Sequence, residues 1–207
     1  MPVRRLALTL ALLAPLAAGS ALAAELTGRV VDTSGAPLAD AVVFLENGTP
    51  AAPGTATMDQ VDKQFVPHLL VVPVGTAVSF PNRDQIHHHV YSFSPAKTFE
   101  IPLYKGEQAA PVVFDQPGAI KLGCNIHDWM SGVILVVPTN AFAVTGADGV
   151  FTLPDVPDEP LTVVAWHAAG KAPLTTKAVH RPGESVLFTL DAAPRRARRG
   201  GGGRSYE

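Results

Sequence analysis

Beyond its first two dozen residues, the chain carries no long segment in which apolar residues recur with a helical period. Its hydrophobic residues come instead in short runs rich in valine: RVVD, AVVFLE, LLVVPVGTAVSF, PVVF, VILVV, LTVVAW and VLFTL. Each run is bounded by Gly, Pro, Asp or Asn, the residues that end strands and build turns. Branched side chains are stiff in a helix and pack well on a pleated surface, so these runs read as strands. The 19 Pro and 18 Gly are spread along the chain, as the many turns of an all-β protein require. The predicted fold class is all-β, with the strands packed as a sandwich.

The N-terminus reads MPVRRLALTLALLAPLAAGSALAAEL. Arg4 and Arg5 precede an apolar Leu/Ala run that Pro15 interrupts, and small residues, Ala21 and Ala23 among them, close it. This order predicts a secretory signal peptide over residues 1–23. The run is shorter and more broken than the ~20 apolar residues of a membrane span; an uncleaved anchor is the alternative. The expected product is an exported protein of the bacterial periplasm, with roughly 184 residues and room for one or two domains.

In an oxidising compartment cysteines normally pair, yet Cys124 is the chain's only one. It is therefore a leftover buried thiol, an intermolecular link, a nucleophile or a metal ligand. Its neighbourhood, GCNIHDWM, places His127 three residues on and Met130 three further. Nothing completes a Cys–His catalytic pair, whereas a metal site accounts for all three side chains. Thiolate, imidazole and a weak thioether are the donors of a blue-copper centre, which needs one more imidazole. A loop between the strands GAIKLG and SGVILVV lets Cys124, His127 and Met130 wrap one ion. The remaining donor is expected from FPNRDQIHHHVYSF, where His87, His88 and His89 follow a strand, a turn at Gly75 and another strand.

Together these two segments resemble the cupredoxins, the small blue copper proteins, and among them the amicyanin and plastocyanin types. In that family an Asn at a strand end is followed six positions later by the first copper His, then by a polar residue and Val. Asn82, His88, His89 and Val90 fit that register. The resemblance implies one type 1 copper ion held by His88, Cys124, His127 and Met130, with His89 as the fallback first ligand. Strand alternation agrees, placing His88, Val90 and Ser92 on one face and His89, Tyr91 and Phe93 on the other. His87 stands where those relatives often carry Pro. By the same resemblance Asn82 would pin the cysteine loop through hydrogen bonds around the sulfur. Trp129 is read as packing or as part of a docking surface.

The flanking segments resemble a different family. LTGRVVDTSGAPLADAVVFLENG, joined to TGADGVFTLPDVP and the strands after it, looks like the carboxypeptidase regulatory-like, or transthyretin-like, sandwich. The expected organisation is a Greek-key cupredoxin sandwich over 54–138 inserted into a smaller transthyretin-like sandwich built from 24–53 and 139–191. A disordered basic tail over 192–207 follows. The alternative assigns residues 26–47 to the cupredoxin and leaves only an appendage beyond residue 139.

A site with four protein ligands leaves no obvious position for substrate, so the chain is expected to be an electron carrier and not an enzyme. The resemblance implies a periplasmic redox partner such as a c-type cytochrome or a dehydrogenase, met through the loop around His127. The alternatives are a copper carrier or sensor with no electron-transfer role, a small oxidase or nitric-oxide-binding copper protein, and a structural module with an inert thiol. Residues 25–191 hold 9 basic against 17 acidic side chains, which favours a basic partner patch and a salt-sensitive encounter. The tail PRRARRGGGGRSYE is basic and glycine-rich, suited to an acidic surface or to no role at all.

Overall fold

The computed structural model describes residues 24–47, 49–106, 110–157, 160–169, 174–179 and 185–192. The signal segment lies outside these residues, as does the basic tail beyond Ala192. Among the described residues the fold is all-β, with no helix. None of them forms a helix long and apolar enough to cross a membrane.

In chain order the strands are β1 (Ala24–Asp32), β2 (Val42–Leu45), β3 (Thr55–Thr57), β4 (Asp59–Val61), β5 (Gln64–Val66) and β6 (Leu69–Pro73). Then come β7 (Thr76–Ser79), β8 (His88–Ser94), β9 (Lys97–Tyr104), β10 (Val112–Phe114), β11 (Gly118–Gly123) and β12 (Ser131–Val137). The chain closes with β13 (Phe142–Val144), β14 (Val150–Val156), β15 (Pro160–Trp166), β16 (Leu174–Val179) and β17 (Ser185–Leu190).

The first two strands pair with the last five, not with those between. One sheet has the order β14-β1-β17 and a second the order β13-β2-β15-β16. Leu26, Val30, Leu38, Val43, Leu45, Phe151, Val163 and Phe188 fill the core they enclose. The middle strands form a five-stranded sheet, β6-β12-β11-β8-β9, a three-stranded sheet, β10-β7-β3, and the hairpin β4-β5. Their core holds Met58, Phe65, Phe80, Val90, Phe114, Ile120, Ile134, Cys124 and Met130. The chain enters and leaves this middle part side by side. Pro50 bridges Thr139, and the Thr139 hydroxyl donates to the Leu45 carbonyl (3.0 Å).

β12 shows why one stretch of the sequence is apolar at nearly every position. Successive side chains on a strand face opposite ways, so a strand covered on one side alternates and a strand covered on both does not. Ile134 and Val136 enter the core of the middle part. Leu135 and Val137 point the other way and pack with Val42, Phe44, Phe142 and Trp166 of the β13-β2-β15-β16 sheet. Leu69 and Val71 on β6 and Ala119 on β11 extend that second contact.

If both faces carry load, Ile134→Ala and Leu135→Ala should destabilise the protein by similar amounts, about 2–5 kcal/mol each. Thermal or denaturant unfolding of the two variants reads this directly. An outward face left open to solvent would make Leu135→Ala nearly silent.

Candidate metal centre

β11 and β12 are antiparallel neighbours, with Gly123 opposite Ser131, so the loop between them must turn back within a few residues. Cys124 opens that loop and Met130 closes it, and the Met130 amide donates to the His127 carbonyl (2.9 Å) to form the turn. β8 runs beside β11, with Gly123 opposite Tyr91. That pairing carries His88, at the start of β8, alongside the loop.

His88, Cys124 and His127 each present a donor atom, and the three atoms lie within 4.8 Å of one another. The Cys124 Sγ is 3.8 Å from the His127 Nδ1. The rings of His88 and His127 meet edge-on, with centroids 4.9 Å apart. His88 and Cys124 are buried and His127 is half-buried. Met130 is buried in the same core cluster as Cys124. The structure thus brings together His88, Cys124 and His127, and sets Met130 in the adjoining core.

His89 sits elsewhere. Its Nε2 meets the Glu100 Oε1 at 2.8 Å, and its ring packs on Tyr91. Among the described residues it belongs to no cluster of three metal-binding donors. His87 is exposed. His68 lies across the sheet with its Nδ1 3.0 Å from the Ser131 carbonyl.

The surroundings of His88 fit a bound ion. Its Nε2 is 2.7 Å from the Asp84 Oδ2, so the ring proton belongs on that nitrogen and Nδ1 is left to accept. The buried Nδ1 has no hydrogen-bond partner. Leaving such an atom unpaired costs about 1–3 kcal/mol, a cost that a coordinated cation removes. A metal-binding His usually gives its second ring N–H to a carboxylate or carbonyl, which fixes the tautomer and raises ligand basicity.

Asp84 is itself held. The amides of Asp62 and Lys63 donate to its two carboxylate oxygens, each at 2.8 Å. Asp62 and Lys63 form the two-residue turn of the β4–β5 hairpin, both with positive φ (52° and 56°). Two left-handed residues in succession match the strand twist of a tight hairpin and turn both amides outward. Burial alone would raise the Asp84 carboxyl, but the His88 bond and the Lys63 and Asp62 amides outweigh it and hold the carboxyl below its usual range. His127 is pushed below its ordinary value, first by burial and then by His88 and Lys63, which favours the neutral ring that a metal requires.

Asn82 acts differently from the expectation that it pins the cysteine loop. Its side-chain amide donates to the carbonyls of Ile86 (2.9 Å) and Tyr104 (3.0 Å), and its Oδ1 accepts from the Asp84 amide (3.0 Å). These bonds shape the turn that delivers Asp84 and His88. The physical reason is local: an Asn at a turn satisfies the backbone groups nearest it. Behind it, the Tyr104 hydroxyl bonds Gln60 and the Phe80 carbonyl, and burial pushes its pKa up to about 12.

Three features of the site lie outside the sequence reading: Asp84, the β4–β5 turn that grips it, and the Tyr104–Gln60 pair. A carboxylate four residues before His88 was the visible signal for the first.

No family model and no curated protein matches the chain. Solved structures do. A purple cupredoxin from Nitrosopumilus maritimus shares 26% identity over 39% of this chain and 95% of its own, with a TM-score of 0.34. A copper-containing nitrite reductase from Thermus scotoductus shares 28% identity over 42% of this chain and only 25% of its own, with a TM-score of 0.36. A reduced Cu(I) form of an amicyanin variant shares 24% identity over 45% of this chain and 97% of its own, with a TM-score of 0.37.

The carboxylate beside His88 can be tested alone. Asp84→Asn keeps the shape and removes the charge, and should weaken Cu(II) binding about 10- to 100-fold. Competition against a chelator of known affinity measures the change.

Proposed function

We propose that the chain carries single electrons through one type 1 copper ion held by His88, Cys124, His127 and Met130. The observation that carries this reading is the buried meeting of one thiol and two imidazoles, with the His88 Nδ1 left unpartnered. Thiolate and imidazole together suit copper better than hard cations, and a weak axial thioether completes the blue-copper donor set. The bound ion would supply a one-electron couple, Cu(I)/Cu(II). The chain's own residues do the rest. Asp84 keeps the His88 ring in one tautomer, and the paired strands β8 and β11 fix His88 and Cys124 so that little has to move when the charge changes. The core around Met130 and Phe65 excludes water.

With four ligands from protein the site offers no open position for substrate, so we infer a carrier rather than an enzyme. Electron exchange would run through the loop at His127. Trp129, 51% exposed, packs on the His127 ring with centroids 5.4 Å apart, which extends that imidazole toward solvent. The partner we infer is a periplasmic redox protein, a c-type cytochrome or a dehydrogenase, with a basic contact patch to suit the acidic body. The leader over 1–23 supports export to the periplasm. We further read residues 54–138 as the cupredoxin unit, inserted into a carboxypeptidase regulatory-like sandwich made of 24–53 and 139–191. The bridge between Pro50 and Thr139 supports that reading, because an insertion needs the two ends of the host loop close together.

Visible absorption and electron paramagnetic resonance of the protein with one equivalent of Cu(II) test the proposal. The expected result is an intense blue or purple thiolate band with narrow copper hyperfine splitting. Cys124→Ser and His88→Ala should abolish it, and His89→Ala should leave it intact. A pale, ordinary cupric spectrum indifferent to Cys124 would overturn the electron-transfer reading in favour of a copper carrier or a structural module.

A further inference from the structure

A cleft of about 720 Å³ opens on the outer face of the five-stranded sheet, beside the part of that face that the β13-β2-β15-β16 sheet covers. Leu69, which packs in the covered seam, also reaches the cleft, and so does Val133, two residues before Leu135 on the same face of β12. Asp40, on the turn before β2, and His167 and Ala168, just after β15, come from the flanking part. Asp128 and Trp129 come from the loop that carries three of the proposed ligands. The volume is that of a ligand-sized pocket, and such pockets favour the junction between two packed units. Neither part of the chain makes this cleft alone.

Trp129 belongs to both the cleft and the metal centre. Half its surface is exposed, it lines the cleft, and its ring packs on that of His127 with centroids 5.4 Å apart. The charged groups on the lining are Asp40, Asp128 and Lys121, so carboxylates outnumber cations. Neither carboxylate forms an ion pair with a described residue. His167 adds no charge: burial pushes its pKa below the ordinary value, and its Nδ1 accepts from the Ala169 amide (3.2 Å). An aromatic ring, apolar sides and carboxylates without a cation match an arginine side chain. Its planar guanidinium stacks on a ring and forks onto a carboxylate, and its apolar stem can lie along Leu69 and Val133.

We propose that this cleft is the docking site for an arginine-bearing surface segment of the electron-transfer partner. The inference rests on the electron-carrier reading and names the chemistry of the contact. An arginine seated on Trp129 brings the partner's surface beside His127. Asp40 gives the flanking part a share in that contact, so the joining of the two parts in one chain helps set which partner docks. The charge balance disfavours an acidic segment. The acidic body, with 9 basic against 17 acidic side chains over residues 25–191, attracts a basic one from a distance.

The test uses the full chain, loaded with copper and reduced, and follows its amide and indole NMR signals during titration with the capped tripeptide Gly-Arg-Gly. Shifts are expected at Ala168, Ala169 and the Trp129 indole, and they should shrink as salt is raised. The same tripeptide with neutral citrulline in place of arginine should give none. Asp40→Asn keeps a positive φ of 59° that Asn tolerates, and should weaken binding severalfold. Ala168→Trp fills the cleft from the flanking part and should abolish binding with the Tm retained. The thiolate band of the oxidised protein should be the same in both variants. Equal shifts from the arginine and citrulline peptides, or arginine shifts that survive Ala168→Trp, would overturn the docking site alone. Binding that appears only after Arg195, Arg196, Arg198 and Arg199 are changed to Gln would assign the cleft to the chain's own arginines and overturn the partner. Absence of the thiolate band from the wild-type protein would overturn the carrier reading, and with it the redox nature of the partner, whatever the peptide does.

Discussion

Strand β12 is the member on which the rest of the structure leans, because it is buried from both sides. Ile134 and Val136 complete the core beneath the candidate metal centre, while Leu135 and Val137 seal that unit against the flanking sheets. Its antiparallel partner β11 ends at Gly123, and the hairpin between them carries Cys124, His127 and Met130. Three of the proposed ligands are thus presented by one short connection whose two anchors cannot shift without disturbing two hydrophobic cores. A loop held this way has little freedom to relax around either oxidation state of a bound ion, which suits the proposed electron exchange.

The second imidazole is fixed by a separate chain of polar contacts. Asn82 shapes the turn, the turn offers Asp84, the β4–β5 amides grip Asp84, and Asp84 holds the Nε2 of His88. Each link is a hydrogen bond of 2.7–3.0 Å with one end charged or partly shielded from solvent. Charge-assisted bonds of this kind are the stronger ones, so the hairpin at Asp62–Lys63 belongs functionally to the centre although neither residue is among the proposed ligands.

Much of this was legible in the sequence because it rests on local periodicity. The Val-rich runs bounded by Gly and Pro mark strands, and the structure places a strand on each of them. The spacing of Cys124, His127 and Met130 is a property of one loop. The register of β8 follows from alternation, and the structure sets His88 with Cys124 and His127 while His89 turns to Glu100. Other features depend on which distant segments meet, and sequence spacing carries no such information. Asp84 owes its role to amides some twenty residues earlier. The Gly123–Tyr91 contact needs the pairing of β8 with β11. The resemblance makes Asn82 a tether for the cysteine loop, whereas in the structure it serves its own turn.

The pairing of the outer strands has a mechanical consequence. β1 and β17 run parallel, from Thr27 opposite Ser185 to Asp32 opposite Leu190. A pull applied between the start of β1 and the end of β17 therefore strains a whole row of hydrogen bonds in shear, all at once, rather than peeling them one by one. Residues 51–138 lie off that line of force, because the chain leaves and rejoins the outer sheets at the Pro50–Thr139 bridge. Tension on the ends of the molecule is borne by the outer strands, and the buried thiol and its two histidines are spared it.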